Sequence, residues 1–366
     1  MRQALIGELL ASAGIPDAPE RVSPMAGAGN NSVWRIAAGG RRYVAKDYLK
    51  PSRAWQGQMA AELRFLQFAQ ERVAGLVPRI LARDGNRGIA VFDMLPGRAA
   101  VASDITPDRV YEAGRFIARL NDPSKRSHDL DIPIAAEARF SPAGHIRLIS
   151  GRIRRLERGV DISLKNEVLP LCVRMRTLLS HARALVRQGA SAAPRHFSTL
   201  ERRGRIVSPS DFAFHNALVG PDGTLRFVDF EYAGWDDPAK LVADFFCQVR
   251  LPVSVSLLPV FLDGLALTNQ AVGRLKVTLP ALLTAYRVKW VCIVLNPVLH
   301  ERLSETRRSS DSEAVKSIAL NRLGLARRLL FEAEQELKHR MQPNGDDRFH
   351  VGSAQEHCEG LSRQGQ

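Results

Sequence analysis

A short β-like segment, residues 205–230, interrupts the most helical part of the sequence. It reads RIVSPSDFAFHNALVGPDGTLRFVDF, with an apolar run on each side of a Pro-Asp-Gly turn at 221–223. Such a turn between two apolar runs predicts a β-hairpin. The hairpin would bring Asn216, before the turn, close to Asp229, after it. The fold must therefore place a small β-hairpin within a helical region.

Three polar side chains of this segment have the composition of a phosphoryl-transfer site. Mg²⁺ prefers oxygen ligands and usually takes only one or two from the protein, so Asn216 and Asp229 are predicted metal ligands. Asp211, five residues before Asn216, would act as the base that orients an attacking hydroxyl. An isolated Asp-x4-Asn pattern is common by chance, so this hypothesis depends on the rest of the chain.

The first ninety-odd residues predict a strand, strand, helix, strand, strand order. The two first strands are predicted at 32–37 and 42–48 around a Gly-Gly turn, and the helix at 55–73. Residues 77–95 predict two more strands around an Asp-Gly-Asn turn, and the N-terminal residues 1–14 predict an amphipathic helix. Helical periodicity dominates later, at 106–121, 171–188 and 313–340.

A lysine and a glutamate in this region are predicted to form an ion pair. Lys46 lies in the middle of a predicted strand, where a charge on the inward face needs a partner. Glu62 lies on the apolar face of the following helix and is therefore a better partner than Glu71. A Lys–Glu pair would hold the lysine toward the phosphates of a nucleotide.

A glycine-rich turn, residues 26–32, precedes the first of these strands. Its backbone N–H groups would approach phosphates, so the predicted nucleotide contacts here are Gly27, Gly29, Asn30 and Ser32. Taken alone, the two glycines are explained by the turn itself.

In the order of these motifs the chain resembles the aminoglycoside phosphotransferase and choline kinase-like branch of the protein kinase-like fold. The resemblance implies a two-lobed α/β (α+β) fold that binds ATP and Mg²⁺ between its lobes. The implied boundaries are a small nucleotide-binding lobe at 1–95 and a larger helical lobe at 96–341. Residues FDMLPG resemble the connector between the lobes, which implies that Phe92 and Met94 lie against the adenine.

The same resemblance exposes departures in the catalytic loop. The family usually has His-Gly-Asp where this chain has Pro-Ser-Asp at 209–211, and a His or Lys where this chain has Ala213. His215 stands where the family often has Gly, and Asn121 where it usually has His. The resemblance further implies that Asp244 braces the catalytic loop. Because the base and both metal ligands remain, an active kinase is expected, with a nucleotide-binding pseudokinase or regulatory module as the alternative.

The net charge bears on the substrate. The chain has 52 Lys and Arg against 38 Asp and Glu, a formal net charge of +14, and a basic helix is predicted at 147–158. Cationic aminoglycosides would need an acidic pocket, so a neutral or anionic small molecule, such as a sugar or glycan precursor, is the preferred substrate. A nucleic-acid or membrane-surface binder is a third hypothesis, but no recognisable nucleic-acid motif supports it.

The remaining sequence features concern the location of the protein in the cell and the ends of the folded region. Four scattered cysteines form no CxxC motif or Cys/His cluster, which favours a reduced, cytoplasmic protein. No run reaches the roughly 18 apolar residues of a membrane span. The polar segment 342–366 lacks periodicity and is predicted to be a disordered tail. Nothing in the sequence indicates the oligomeric state.

Overall fold

The computed structural model describes residues 2–15, 18–25, 32–48, 54–125, 131–300 and 312–341. By their contacts the residues group into two compact units. The first unit comprises Met1–Ala136 with Ile206–Asp236, and the second comprises Glu137–Arg205 with Asp237–Gln366. The predicted catalytic hairpin thus belongs to the same unit as the N-terminal strands. The functional boundary at 95/96 stays a prediction, and the predicted tail at 342–366 lies outside the described residues.

A five-stranded antiparallel sheet, in the order β1-β2-β3-β5-β4, forms the N-terminal part of the first unit. Its strands are β1 (Arg21–Pro24), β2 (Ser32–Ala38), β3 (Arg41–Asp47), β4 (Ile80–Asp84) and β5 (Ile89–Asp93). Gly39 and Gly40 join β2 to β3 with φ of 55° and 67°, the left-handed backbone that a two-residue hairpin turn needs. The predicted first two strands therefore appear as β2 and β3.

Two helices accompany this sheet, one before β1 and one between β3 and β4. The first, α1 (Arg2–Ser12), buries Ile6, Leu9 and Leu10 in one core with β2, β3 and β5. The second, α2 (Ala54–Val73), buries Leu63, Phe65 and other apolar residues of one face. Both helices are where the sequence predicts them.

The rest of the first unit consists of α3 and five short strands. These elements are α3 (Pro107–Leu120), β6 (Arg98–Ala99), β7 (Ile206–Ser208), β8 (Ala217–Val219), β9 (Leu225–Phe227) and β10 (Gly234–Asp236). β8 and β9 form the predicted hairpin, with β6 on the other side of β8, while β7 pairs with β10. Gly97 has φ of 138°, and a side chain there would meet the carbonyl oxygen of Val219 at 2.7 Å. A glycine is therefore required where the chain enters β6.

The second unit is helical. Its helices are α4 (Pro142–Gly159), α5 (Lys165–Ala192), α6 (Pro194–Phe197), α7 (Pro238–Cys247), α8 (Leu258–Leu265), α9 (Asn269–Val294) and α10 (Ser312–Met341). α9 lies at the centre and packs against α4, α5, α7 and α10. The predicted helices at 106–121, 171–188 and 313–340 correspond to α3, the middle of α5 and α10.

Helix α9 has a composition that needs comment. Within the described ranges it is the helix long and apolar enough to cross a membrane by length and composition. However, 78% of the 18-residue apolar stretch within this helix is buried inside the protein. Burial around most of its circumference explains both its composition and why no one-sided periodicity predicts it.

Candidate active site

Lys46 and Glu62 form the buried ion pair that the sequence predicts. In the sheet register Lys46 lies between Val33 of β2 and Ala90 of β5. Its Nζ atom is 2.7 Å from Oε2 of Glu62, and the two residues are only 7% and 4% exposed. The strand supplies the lysine and α2 supplies the carboxylate.

Further donors hold the buried carboxylate of Glu62. The Tyr48 hydroxyl donates to Oε2 at 2.7 Å, and the backbone N–H of Phe230 donates to Oε1 at 3.3 Å. Each oxygen therefore has a partner, which a buried carboxylate requires. Tyr48 was missed from the sequence, although it lies two residues after Lys46 and so on the same face of the strand.

Lys46 also contacts Asp229, a pairing that the sequence does not predict. The Nζ atom lies 2.6 Å from Oδ1 of Asp229. The side chain of Asp229 is 40% exposed, in contrast to that of Glu62. The Phe230 ring, next along the chain, stacks on Phe65 of α2 with centroids 4.5 Å apart. This stack packs the segment after Asp229 against the helix that carries Glu62.

The environment of this group favours the charge of Lys46 but disfavours that of Glu62. Burial opposes the charge of Lys46, but the carboxylates of Glu62 and Asp229 outweigh it, and the pKa of Lys46 is raised above its ordinary 10.5. Burial raises the pKa of Glu62 above 4.5 even though Lys46 opposes this. Burial also raises the pKa of Tyr48, and Glu62 adds to the effect, so that its hydroxyl remains a donor. Lys46 is therefore a permanent cation at physiological pH.

The loop between β7 and Asp211 is held by its own polar groups. The Ser210 backbone N–H donates to Oγ of Ser208 at 2.9 Å, and Ser210 Oγ donates to the Ala136 carbonyl at 3.3 Å. Ser210 has φ of 67°, a left-handed conformation that favours glycine. Serine therefore occupies a backbone conformation that favours glycine, at the cost of local strain.

Asp211 lies beside two side chains that follow it in the loop. Nδ2 of Asn216 donates to the Asp211 carbonyl at 2.9 Å, which ties the two ends of the loop together. Nε2 of His215 lies 3.4 Å from Oδ1 of Asp211, whose side chain is 34% exposed. Nδ1 of His215 is buried without a hydrogen-bond partner among the described residues. The imidazole thus lies against the carboxylate from within the protein.

The loop is anchored to α3 by one amide and by aromatic rings. Asn121, at the end of α3, donates to the Val207 carbonyl at 2.9 Å and accepts from the Val207 N–H at 2.7 Å. Phe212 packs with Phe116 of α3 and Phe227 of β9. Ala213 is buried in the same region. Asn121 therefore holds the start of the loop that carries Asp211, a contact that the sequence did not indicate.

Asn216 and Asp229 are brought together by the predicted hairpin. The Val228 N–H donates to the Asn216 carbonyl at 3.0 Å, directly beyond the β8–β9 ladder. The Nδ2 atom of Asn216 is bonded to the Asp211 carbonyl. The Oδ1 atom of Asn216, on the other branch of the same amide, takes no part in that hydrogen bond. The surrounding group contains two carboxylates, Glu62 and Asp229, for one lysine. An excess of carboxylates over cations fits a divalent cation with oxygen ligands, and the backbone contact between Val228 and Asn216 brings Asn216 near Asp229, which follows Val228 in the chain.

The other predicted nucleotide contacts are less informative. Phe92 lies buried in β5, Met94 follows that strand and is half-buried, and Ser32 begins β2 with an exposed side chain. Gly27, Gly29 and Asn30 lie outside the described residues. Asp244 belongs to the second unit, where it accepts hydrogen bonds from Lys289 and Trp290 of α9, and its role in bracing the loop stays a prediction.

Comparison with known proteins adds a family and a fold. The model of the phosphotransferase enzyme family (APH) matches residues 21–270. No curated protein sequence matches the chain.

Solved structures with similar folds share little sequence with this chain. Spectinomycin phosphotransferase APH(9)-Ia, solved with ADP and spectinomycin, is 13% identical, with a TM-score of 0.58 over 91% of this chain and 98% of that one. An ethanolamine kinase from Plasmodium vivax is 15% identical, with a TM-score of 0.53 over 84% and 82% of the two chains. Choline kinase LicA from Streptococcus pneumoniae is 15% identical, with a TM-score of 0.52 over 90% and 99%. At such identity these likenesses show the fold.

Proposed function

Because the chain belongs to the phosphotransferase enzyme family, we propose that it transfers the γ-phosphoryl group of ATP to a hydroxyl group of a small molecule. The observation that carries this proposal is the network in which Lys46 contacts both Glu62 and Asp229 at 2.7 and 2.6 Å. A permanently charged lysine, fixed by a buried glutamate, is the group that phosphoryl transfer needs to hold the nucleotide phosphates.

Lys46 and the two metal ligands have separate tasks in this proposal. Glu62 and Asp229 accept two of the N–H bonds of the Lys46 ammonium, and the third would bind a phosphate oxygen of the nucleotide. Asn216 Oδ1 and the Asp229 carboxylate would hold Mg²⁺, which neutralises phosphate charge when bound. Phe92, Met94, Ser32 and the glycine-rich turn remain the proposed contacts for the rest of the nucleotide.

Asp211 is the proposed catalytic base. Its partly exposed carboxylate accepts a hydrogen bond from the acceptor hydroxyl and aligns that oxygen with the γ-phosphorus. The new bond joins the acceptor oxygen to phosphorus, the bond between the γ-phosphorus and the bridging oxygen breaks, and ADP leaves with that electron pair. The hydroxyl proton passes to Asp211 and then to solvent. His215 keeps the carboxylate oriented from the buried side.

The acceptor is proposed to be a neutral or anionic small molecule, with sugars and glycan precursors preferred. The support is the net charge of +14, because a strongly basic chain disfavours polycationic acceptors. The pseudokinase alternative rests on Ser210 and Ala213. It is the weaker reading, since Asp211 keeps an exposed carboxylate and Asn216 keeps its place beside it.

A turnover screen tests the proposal. ATP consumption by the wild-type chain is measured with a panel of sugars, amino alcohols and aminoglycosides, and Asp211→Asn is then measured with the best acceptor. Because Asn preserves size but removes the charge, turnover should fall by about 10²–10⁴-fold while ATP affinity stays nearly unchanged. Tight Mg-ATP binding with no turnover on any acceptor would establish the pseudokinase instead. Equal turnover by both proteins would show that Asp211 is structural.

A further inference from the structure

Tyr48 contacts both members of the buried ion pair in the first unit. It follows directly on β3, and its backbone N–H donates to the Gly88 carbonyl at 2.8 Å, which extends the pairing of β3 with β5. Side chains two residues apart on a strand lie on the same face, so Tyr48 and Lys46 both reach Glu62 of α2. The side chain of Tyr48 is fully buried and therefore has a fixed place in this group.

The hydroxyl of Tyr48 and the ammonium of Lys46 share one acceptor. Tyr48 Oη and Lys46 Nζ each lie 2.7 Å from Oε2 of Glu62. The other oxygen, Oε1, accepts from the backbone N–H of Phe230 at the longer distance of 3.3 Å. Burial, reinforced by the charge of Glu62, raises the pKa of Tyr48, so the hydroxyl keeps its proton and is the donor. Of these two uncharged donors, Tyr48 makes the shorter hydrogen bond to Glu62.

The ring of Tyr48 contacts the lysine itself. Lys46 Nζ lies 5.3 Å from the centroid of the ring, within the roughly 6 Å over which an aromatic face attracts a cation. Tyr48 thus attracts the lysine with its ring and, through its hydroxyl, holds the carboxylate that the lysine binds. A tyrosine whose hydroxyl only needed a buried acceptor would not have to contact the cation as well.

The second carboxylate beside Lys46 gives this arrangement a purpose. Lys46 Nζ also contacts Oδ1 of Asp229 at 2.6 Å, and the side chain of Asp229 is 40% exposed, whereas that of Glu62 is 6% exposed. A Glu62 carboxylate free to rotate would leave Asp229 as the main partner of the lysine, although Asp229 is also the proposed metal ligand. The hydroxyl of Tyr48 opposes that rotation because it binds the same oxygen as the lysine.

We propose that Tyr48 is a positioning residue of the nucleotide site, which fixes the carboxylate of Glu62 and through it the ammonium of Lys46 that binds the nucleotide phosphates. This inference rests on the proposed function, from which it takes the contact between Lys46 and phosphate. It adds that affinity for the phosphates, but not for the nucleoside, depends on the buried hydroxyl group of Tyr48.

Calorimetry with Mg-ATP and with adenosine tests the proposal. Tyr48→Phe keeps the ring and removes the hydroxyl, so affinity for Mg-ATP should fall about tenfold, the scale of one hydrogen bond to a charged group. Affinity for adenosine, which has no phosphate, should change less than about twofold. A general loosening of the sheet would weaken both ligands alike. The difference between the two ligands therefore isolates the phosphate contact.

Tyr43→Phe is the matched control. Tyr43 lies on the same strand, on the face opposite to Lys46, and is buried in the core with α1. This variant also loses one buried hydroxyl group, but the affinities for Mg-ATP and adenosine should both stay within about twofold of the wild type.

Glu62→Met shows whether Tyr48 acts through Glu62. Methionine fills the space of the glutamate but is only a weak hydrogen-bond acceptor. In this background Tyr48→Phe should weaken Mg-ATP binding by less than about twofold, because the hydroxyl has already lost its partner. Losses that multiply in the double variant would show that Tyr48 acts independently of Glu62 and would refute the proposal.

The same measurements separate this proposal from the proposed function. If the wild type turns over and Tyr48→Phe binds Mg-ATP as Tyr43→Phe does, the transfer stands and the role of Tyr48 is refuted. If the wild type binds Mg-ATP without turnover, the transfer fails, and a loss of Mg-ATP affinity in Tyr48→Phe still supports the role of Tyr48. Absence of Mg-ATP binding by the wild type overturns both.

Discussion

Each unit of the protein contains a buried lysine paired with carboxylates, yet the two groups are built differently. The Lys46 cluster, in the first unit, has one lysine for two carboxylates, Glu62 and Asp229. The Lys289 cluster, in the second unit, has three cations for two carboxylates: Lys289, Lys240 and Arg152 with Asp244 and Glu137. In these ion pairs, carboxylates outnumber cations in the first cluster, and cations outnumber carboxylates in the second.

Exposure separates the two clusters further. Lys289 lies 2.7 and 2.9 Å from the two oxygens of Asp244, and both side chains are buried. Trp290 adds a third hydrogen bond to the same carboxylate, at 3.2 Å. In the Lys46 cluster, by contrast, Asp229 faces solvent in part. We therefore interpret the closed Lys289 pair as structural and the more open Lys46 cluster as the proposed site for a cation and a nucleotide.

The largest expected effect is at Asp229. Asp229→Ala should abolish turnover and sharply weaken metal-dependent ATP binding, because it removes a proposed Mg²⁺ ligand from a partly exposed position. Steady-state kinetics and nucleotide titration with and without Mg²⁺ measure both. Full activity in this variant would refute the metal site.

Its counterpart in the second unit is Asp244→Ala. This change should lower the free energy of unfolding by about 3–5 kcal/mol, because it leaves Lys289 buried without its carboxylate. Denaturant unfolding measures the loss. A stable Asp244→Ala protein with impaired turnover would contradict the structural role assigned to the Lys289 cluster.

The next prediction compares the two buried lysines, Lys46 and Lys289. Lys46→Met should reduce turnover by about 10²-fold or more while stability changes within the usual range of about 0.5–3 kcal/mol. Glu62 can take up a proton once its partner is gone, which limits the cost. Lys289→Met should show the opposite pattern, with a large stability loss and near-normal turnover per folded molecule. Similar profiles for the two variants would remove the distinction between the clusters.

A smaller effect is expected at His215. His215→Gln should lower turnover by about tenfold, roughly 1.4 kcal/mol, because Asp211 loses the imidazole that lies 3.4 Å from it. Turnover should fall while the Michaelis constant for ATP and the free energy of unfolding stay unchanged, a combination that a purely packing role would not produce. His215→Phe, which has an aromatic ring without ring nitrogens, is the control that separates packing from contact with Asp211.

The smallest expected effect is on the pH dependence of stability. It compares Glu62 and Glu137, two glutamates that each lie beside a lysine. Burial raises the pKa of Glu62, whereas the pKa of Glu137 is lowered, because Lys289, Arg152 and Lys240 outweigh its burial. An ionised Glu137 stabilises the fold above its unfolded pKa, and this contribution is lost as the pH falls through its lower folded value. Ionising Glu62 costs stability, and this cost disappears as the pH falls through its raised folded pKa toward 4.5.

Glu137→Gln should therefore destabilise the protein more at pH 7 than at pH 4, while Glu62→Gln should do so less at pH 7 than at pH 4. The two differences should be of opposite sign. Urea unfolding at the two pH values measures them. Shifts of the same sign for both variants would contradict the opposite charge balance of the clusters.

Local patterns predicted much of the first unit. The Gly-Gly turn and alternating residues predicted β2 and β3, and the Pro-Asp-Gly turn predicted the β8–β9 hairpin. The Lys46–Glu62 pair followed from a charge on an inward strand face and an acid on an apolar helix face. Strand β1 was missed because it has only four residues and ends at Pro24.

Contacts between distant parts of the chain could not be predicted in this way. Lys46 and Asp229 are 183 residues apart, and no local pattern encodes their approach. The position of Asp244 was inferred from a motif, but its partners are fixed by the packing of α7 on α9. Helix α9 lacked a one-sided apolar stripe because it is buried on most sides.

The amide of Asn121 has a mechanical consequence. It offers a donor and an acceptor to the backbone of Val207, as a neighbouring strand would, and so docks the end of α3 onto β7. Phe116 and Phe212 form a second attachment between the same helix and the loop, with centroids 5.7 Å apart. Two attachments at different points fix the orientation of the helix on the loop more firmly than one would. We therefore expect that a displacement of α3 would also move Asp211, which precedes Phe212 in the chain.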